Sequence, residues 1–170
     1  GRWSDYGLDP EAEGFHISEL EACAVAIALD LWGKYLSQRR VVMRCDNEAT
    51  VHMINSGRCK DPGMMCSMRS IFFTMAKHSF MLGSKHISTE TNTLADSASR
   101  WFDEPKYRDV FFKFARDEFG FERDEMTEVT PTLDIAAMLC KIKKARAAAA
   151  RHQLAREKRA AAREKRRKAA

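Results

Sequence analysis

No CxxC pair, no apolar run long enough to cross a bilayer and no secretory leader pattern occur in this 170-residue sequence. Its cysteines (Cys23, Cys45, Cys59, Cys66, Cys140) are odd in number and scattered through helical and strand patterns. They read as reduced core residues of an intracellular protein, cytoplasmic or nuclear, rather than as a disulfide framework. Cys59 and Cys66 have no His pair at ligand spacing, which argues against zinc. Without about twenty consecutive apolar residues, no membrane partner is expected. Sustained a/d heptads are missing too, so a coiled-coil structural protein is disfavoured. The sequence opens on Gly and not Met, so a fragment or a processed piece is expected.

Charge is abundant but divided. Residues 141–170 carry thirteen Lys/Arg against two Glu, a net of +11, whereas residues 1–140 hold sixteen Lys/Arg against twenty-two Asp/Glu, a net of −6. An acidic body with a basic tail suits a polyanionic partner. From Ile135 onward Ala, Arg, Lys and Glu dominate, and this composition favours helix. Little apolar stripe follows Ile142 beyond Leu154, so the tail reads as a solvated helix or as one that orders on a partner.

The body alternates helix and strand. Ser18 to about Ser37 reads as a long helix, with Ser18 as N-cap and Glu21 at capping-box spacing. At 100° per residue, Glu19, Cys23, Ala26, Asp30, Gly33 and Ser37 fall on what reads as the wet side. Leu20, Ala24, Val25, Ile27, Ala28, Leu29, Leu31, Trp32 and Leu36 fill the opposite arc, with Glu21 in its middle. A carboxylate aimed into packed apolar surface costs several kcal/mol unless paired. Either Glu21 bends back to the Ser18 backbone, or a cation or basic partner meets it. Arg40–Asp46 is a strand, with Val41, Met43 and Cys45 on one side and Val42, Arg44 and Asp46 on the other. Asp46 or Asn47 caps the helix starting at Glu48, unless Asp46 serves as a ligand at the sheet's carboxyl edge.

Lys60-Asp61-Pro62-Gly63 is a turn, and Pro62 suits the start of the next helix. The Met-rich stripe over 64–77 reads as core filler. Residues 79–87 form a second strand, 92–101 a helix holding Asp96 in its first turns, and 107–119 an amphipathic helix ended by Gly120. Residues 121–134 read as acidic and irregular. Acids converging at strand ends are the arrangement that holds two divalent ions across an in-line phosphoryl displacement. Oxygen ligands suit Mg²⁺ or Mn²⁺.

The order of three motifs resembles a known family. Leu20-Glu21-Ala22 lies on a helix, Cys45-Asp46-Asn47 follows a strand, and His86-Ile87 precedes Asn92-Thr93-Leu94-Ala95-Asp96-Ser97-Ala98-Ser99-Arg100. Together they look like a ribonuclease H domain, most similar to the one trailing the reverse transcriptase in retroelements. His16-Ile17-Ser18-Glu19-Leu20-Glu21 and Ala95-Asp96-Ser97-Ala98-Ser99-Arg100 resemble the tyrosine-recombinase retrotransposons of the DIRS and Ngaro group. The resemblance covers about residues 1–102. It implies an α/β fold, a ribonuclease H-like mixed sheet flanked by helices. An accessory helix and acidic linker over 103–134 and a basic helical tail over 135–170 would follow. It further implies Glu21, Asp46 and Asp96 as ligands of Mg²⁺ or Mn²⁺, and His86 as the residue assisting product release. The implied activity is endonucleolytic cleavage of RNA in an RNA–DNA hybrid, beside an upstream reverse transcriptase domain. The rival from another class is a non-cleaving nucleic-acid-binding or assembly module.

One departure stands out. The family begins with two further strands, the first carrying a catalytic Asp well upstream of the helical Glu. Only sixteen residues lead from Asp5 to Glu21, and Trp3-Ser4 reads as the third strand itself. The first strands and the first metal ligand are therefore expected to be missing, and the chain alone is expected not to cleave. Asp5 or Asp9 would be the fourth acid otherwise.

Overall fold

The computed structural model describes residues 14–127, 129 and 131–168. The strand expected at Trp3-Ser4, with Asp5 and Asp9, lies outside them. Within them the protein is mixed α/β and mostly helical. Helix α1 (Ile17–Trp32) leads through a 3-10 turn (Gly33–Leu36) into strand β1 (Arg40–Cys45). Helices α2 (Glu48–Ser56) and α3 (Pro62–His78) then connect β1 to β2 (Met81–His86). The strands pair in parallel, with register running from Arg40 opposite Met81 to Cys45 opposite His86. Among the described residues the sheet has these two strands, so the α/β class is as expected but the larger ribonuclease H-like mixed sheet is not displayed by them. Helices α4 (Thr93–Ser99), α5 (Pro105–Phe119) and α6 (Ile135–Lys168) complete the chain.

Local chemistry sets the element ends. Asp61 accepts from the Met64 N–H at 2.7 Å and Pro62 supplies the first helical position, so α3 starts where the turn residues say it should. Gly57 and Gly120 close α2 and α5 in the left-handed region, at φ 68° and 70°. Pro105 supplies the first position of α5.

The core lies between α1, α3 and the first turns of α6. Ala22, Cys23 and Ala26 of α1, Met64, Met68 and Ile71 of α3, and Ile135, Leu139 and Ile142 of α6 are buried in one cluster. The opening of the 135–170 segment thus belongs to the body, and the helix leaves it after Ile142. Asp30 fastens that entry: one carboxylate oxygen accepts from the Thr132 N–H and hydroxyl and the Leu133 N–H, at 3.1, 2.7 and 2.8 Å.

Two readings of α1 are corrected. Glu19, Cys23 and Ala26, placed on the wet side, are buried, while Ala24 and Trp32 of the supposed core arc are exposed, Trp32 at 52 %. Small Ala and Cys side chains let α3 approach closely, so the tightest contact forms where the residues are least bulky. The cap also shifts. His16, not Ser18, precedes the helix: its Nδ1 accepts from the Ser18 N–H at 3.2 Å, and Glu19, not Glu21, accepts from the His16 N–H at 2.9 Å. Glu21 is left with no part in the cap.

Candidate metal centre

β1 alternates as its sequence predicts, with Val42 and Arg44 exposed and Cys45 only 7 % exposed. The strand stops there because Asn47 caps α2: its Oδ1 accepts from the Thr50 N–H at 2.9 Å. With Asn47 as the cap, Asp46 is not needed for one. The other end of the same amide donates to Ser18 Oγ at 3.2 Å, tying the start of α2 to the first turn of α1. This link draws the end of β1 beside Glu21.

The result is a cluster of Glu21, Cys45 and Asp46, each offering one ligand atom, with these atoms within 4.8 Å of one another. Glu21 and Asp46 are half-buried. Among the described residues neither carboxylate takes a hydrogen bond or an ion pair. Burial, and then the Asp46 charge, push the Glu21 carboxyl above its ordinary value. The Cys45 thiol is also pushed up, chiefly by burial. The Asn47 N–H, 3.4 Å from the sulfur, works against the rise, and Glu21 and Asp46 add to it. The thiol is therefore held neutral, a poor partner for a hard ion, and a soft ion would first have to displace its proton. Two carboxylates free of protein partners suit one hard divalent cation such as Mg²⁺ or Mn²⁺.

The structure does not gather the other expected site residues into this group. Asp96 pairs with Arg100 one turn along α4, at 3.2 Å, with its side chain 33 % exposed. Helix α4 packs on α5, where Trp101 meets the edges of Phe111 and Phe112, and not on the sheet's carboxyl end. His86 ends β2, within the strand expected over 79–87. It is exposed and stands in register with Cys45, and the next residue continues the ladder through Ile87 N–H to Cys45 C=O at 3.1 Å. Cys45 itself went unnoticed as a site residue because strand alternation placed it with Val41 and Met43 toward the core. Its position next to Asp46 was the available signal.

A second carboxylate on α1 was also missed. Glu19 is 1 % exposed, and its Oε2 meets Arg146 of α6 at 3.4 Å. Its Oε1 has no hydrogen-bond partner among the described residues. Gly63 of α3 lies against it, and a Cβ there would also come within 2.8 Å of Ile142. The absence of a side chain at 63 is what lets three helices meet over a buried charge.

No helix among the described residues is long and apolar enough to cross a membrane. Compared with known proteins, the chain matches no family model, no curated protein and no solved structure.

Proposed function

We propose that this chain is a partial ribonuclease H-type domain of a retroelement reverse transcriptase, inactive alone, whose parent protein cleaves the RNA strand of RNA–DNA hybrids with Mg²⁺ or Mn²⁺. The observation that supports this reading most is the approach of Glu21 and Asp46, one from a helix and one from a strand end, with no protein counter-charge between them. Two like charges brought together in partial burial repel each other, and a divalent ion is the simplest neutralising partner.

Glu21 and Asp46 would hold the ion, and when bound it supplies Lewis-acid stabilisation of a phosphoryl oxygen. The chain's own residues do the rest. Asn47 holds the strand end against α1 by bonding Ser18 while it caps α2. Cys45 closes the inner side of the carboxylate pair with a neutral, buried sulfur. His86, exposed at the end of the neighbouring strand, is free to meet a substrate from solvent and to exchange a proton with a departing oxygen.

Mn²⁺ titration by calorimetry tests the metal centre directly. Binding to the full chain, lost in both Glu21→Gln and Asp46→Asn, is the expected result. Equal heats from all three proteins would overturn it. The pairing of Asp96 with Arg100 favours a second reading, a nucleic-acid-binding module that does not cut. Since the chain alone is expected not to cleave, metal linkage separates the two: a labelled RNA–DNA hybrid bound equally with and without Mn²⁺ selects that reading. Hybrid binding that Mn²⁺ strengthens, an effect lost in Asp46→Asn, selects the enzyme.

A further inference from the structure

Helix α6 continues from Ile142 to Lys168 with its side chains turned largely to solvent. A solvated helix of this length needs residues that hold helix without tertiary help, and alanine runs at 147–150 and 160–162 supply them. Its acids keep to one line, while its cations reach most of the way round. Arg146 marks the side that faces the body, through its contacts to Glu19 and to the Gly14 carbonyl. Glu157 and Glu164 follow it by eleven and eighteen residues. At about 100° per residue these are three and five full turns, so both acids continue the body-facing line. Lys144, Arg151, Arg156, Lys158, Arg159 and Arg163 all fall within an arc of about 160° on the opposite side. All six are exposed, and none carries an ion pair among the described residues.

We propose that this arc is a docking arm for the phosphate backbone of duplex nucleic acid. The arc runs about 28 Å along the helix at ~1.5 Å per residue, a little under one turn of a duplex. Duplex phosphates offer about one negative charge per 1.7 Å of axis, which a line of cations without interleaved acids complements in both sign and length. A membrane surface fits less well. From residue 143 to 168 the only large aliphatic side chain is Leu154, so the helix has no apolar face to lay into lipid. The arm carries no base-reading geometry, and its grip is indifferent to sequence. It acts independently of the Glu21–Asp46 centre.

The test uses the full chain and a variant with Arg151→Gln, Arg156→Gln, Lys158→Gln, Arg159→Gln and Arg163→Gln. Glutamine keeps helix propensity, and circular dichroism checks that the helix survives. The probe is a fluorescent mixed-sequence DNA duplex, titrated by anisotropy from about 50 to 200 mM salt, the range over which backbone contacts weaken strongly. The parent is expected to bind with a steep salt dependence. The variant's log–log slope should be shallower by up to about 0.9 for each contact removed. Repeating the parent titration in EDTA should leave its slope unchanged, which separates a failure of the metal centre from a failure of the arm. Equal affinity and slope for parent and variant would overturn the proposal. So would parent binding to anionic phosphatidylserine vesicles with none to the duplex.

Discussion

Glu19 and Glu21 lie two residues apart on one helix, yet they occupy opposite situations. Glu19 is the more deeply buried, but its Oε2 is met by protein, accepting from the His16 N–H and pairing with the Arg146 guanidinium, while Oε1 lies against Gly63 without a hydrogen-bond partner among the described residues. Glu21 is only half-buried, but what faces it is another carboxylate and a neutral thiol. Depth of burial therefore does not mark a functional acid. A carboxylate paired with a protein cation acts as a fastener, whereas one left facing another carboxylate has no protein counter-charge among the described residues. The helical twist separates the two, since two residues turn the side chain by about 200°.

The contrast can be broken from the Glu19 side first, where the largest effect is expected. Arg146→Met should cost about 2–3 kcal/mol in urea unfolding, because it leaves Glu19 buried without its cation, less than for a fully buried pair since the Arg146 side chain is 39 % exposed. A loss under about 1 kcal/mol, the level of exposed pairs, would show that the pair is only a surface ion pair. Gly63→Ala comes next, at about 1–3 kcal/mol, since the added methyl must push apart Glu19 and Ile142. Unchanged stability there would mean that α3 and α6 are not in contact over residue 63.

Smaller effects belong to the Glu21 side, and they sharpen the contrast through metal binding rather than stability. Asn47→Ala should cost about 1 kcal/mol as a lost cap. It should also weaken Mn²⁺ binding, because the tie to Ser18 that seats Asp46 goes with it. Intact Mn²⁺ affinity in that variant would show that the strand end is held by other means. Glu21→Gln should change stability least and abolish Mn²⁺ binding. Its pH signature has a definite sign. The Glu21 carboxyl is raised above its ordinary 4.5 in the folded chain, so the folded state holds the proton more tightly than the unfolded state. The parent should lose stability as pH rises from 4.5 through the raised value, and Glu21→Gln should lack that loss in metal-free buffer. Parallel pH profiles for the two proteins would show that Glu21 is not strained by its surroundings.

Several elements were legible from local chemistry. The strand over 40–46 announced itself through alternation and β-branched residues, and the structure has it at Arg40–Cys45. The start of α3 was written in Asp61 and Pro62, and the end of α5 in Gly120. The buried face of α1 was legible only in part: Leu20, Val25 and Leu29 are buried as expected, but the helix is apolar over most of its circumference, so Glu19, Cys23 and Ala26 were taken for the wet side. The cap was misplaced for a related reason: Ser18 at its spacing from Glu21 and His16 at its spacing from Glu19 differ only in which backbone the first turn adopts. At the candidate site, Glu21 and Asp46 were both singled out and the structure brings them together, whereas Asp96 found a nearer partner in Arg100.

By itself the sequence determined much of what depends on a few neighbouring residues: where β1, α3 and α5 start or stop, that the tail favours helix, and that its charge opposes that of the body. Only the tertiary structure decided which of two glutamates is locked and which is open, and that Asn47 rather than Asp46 serves as the cap. It also decided that the first turns of α6 are core. The physical reason is that propensity, capping and patterning act over a few residues along the chain. Electrostatic vacancy and close packing depend instead on which distant atoms arrive, as Arg146 arrives at Glu19 and Asp46 at Glu21.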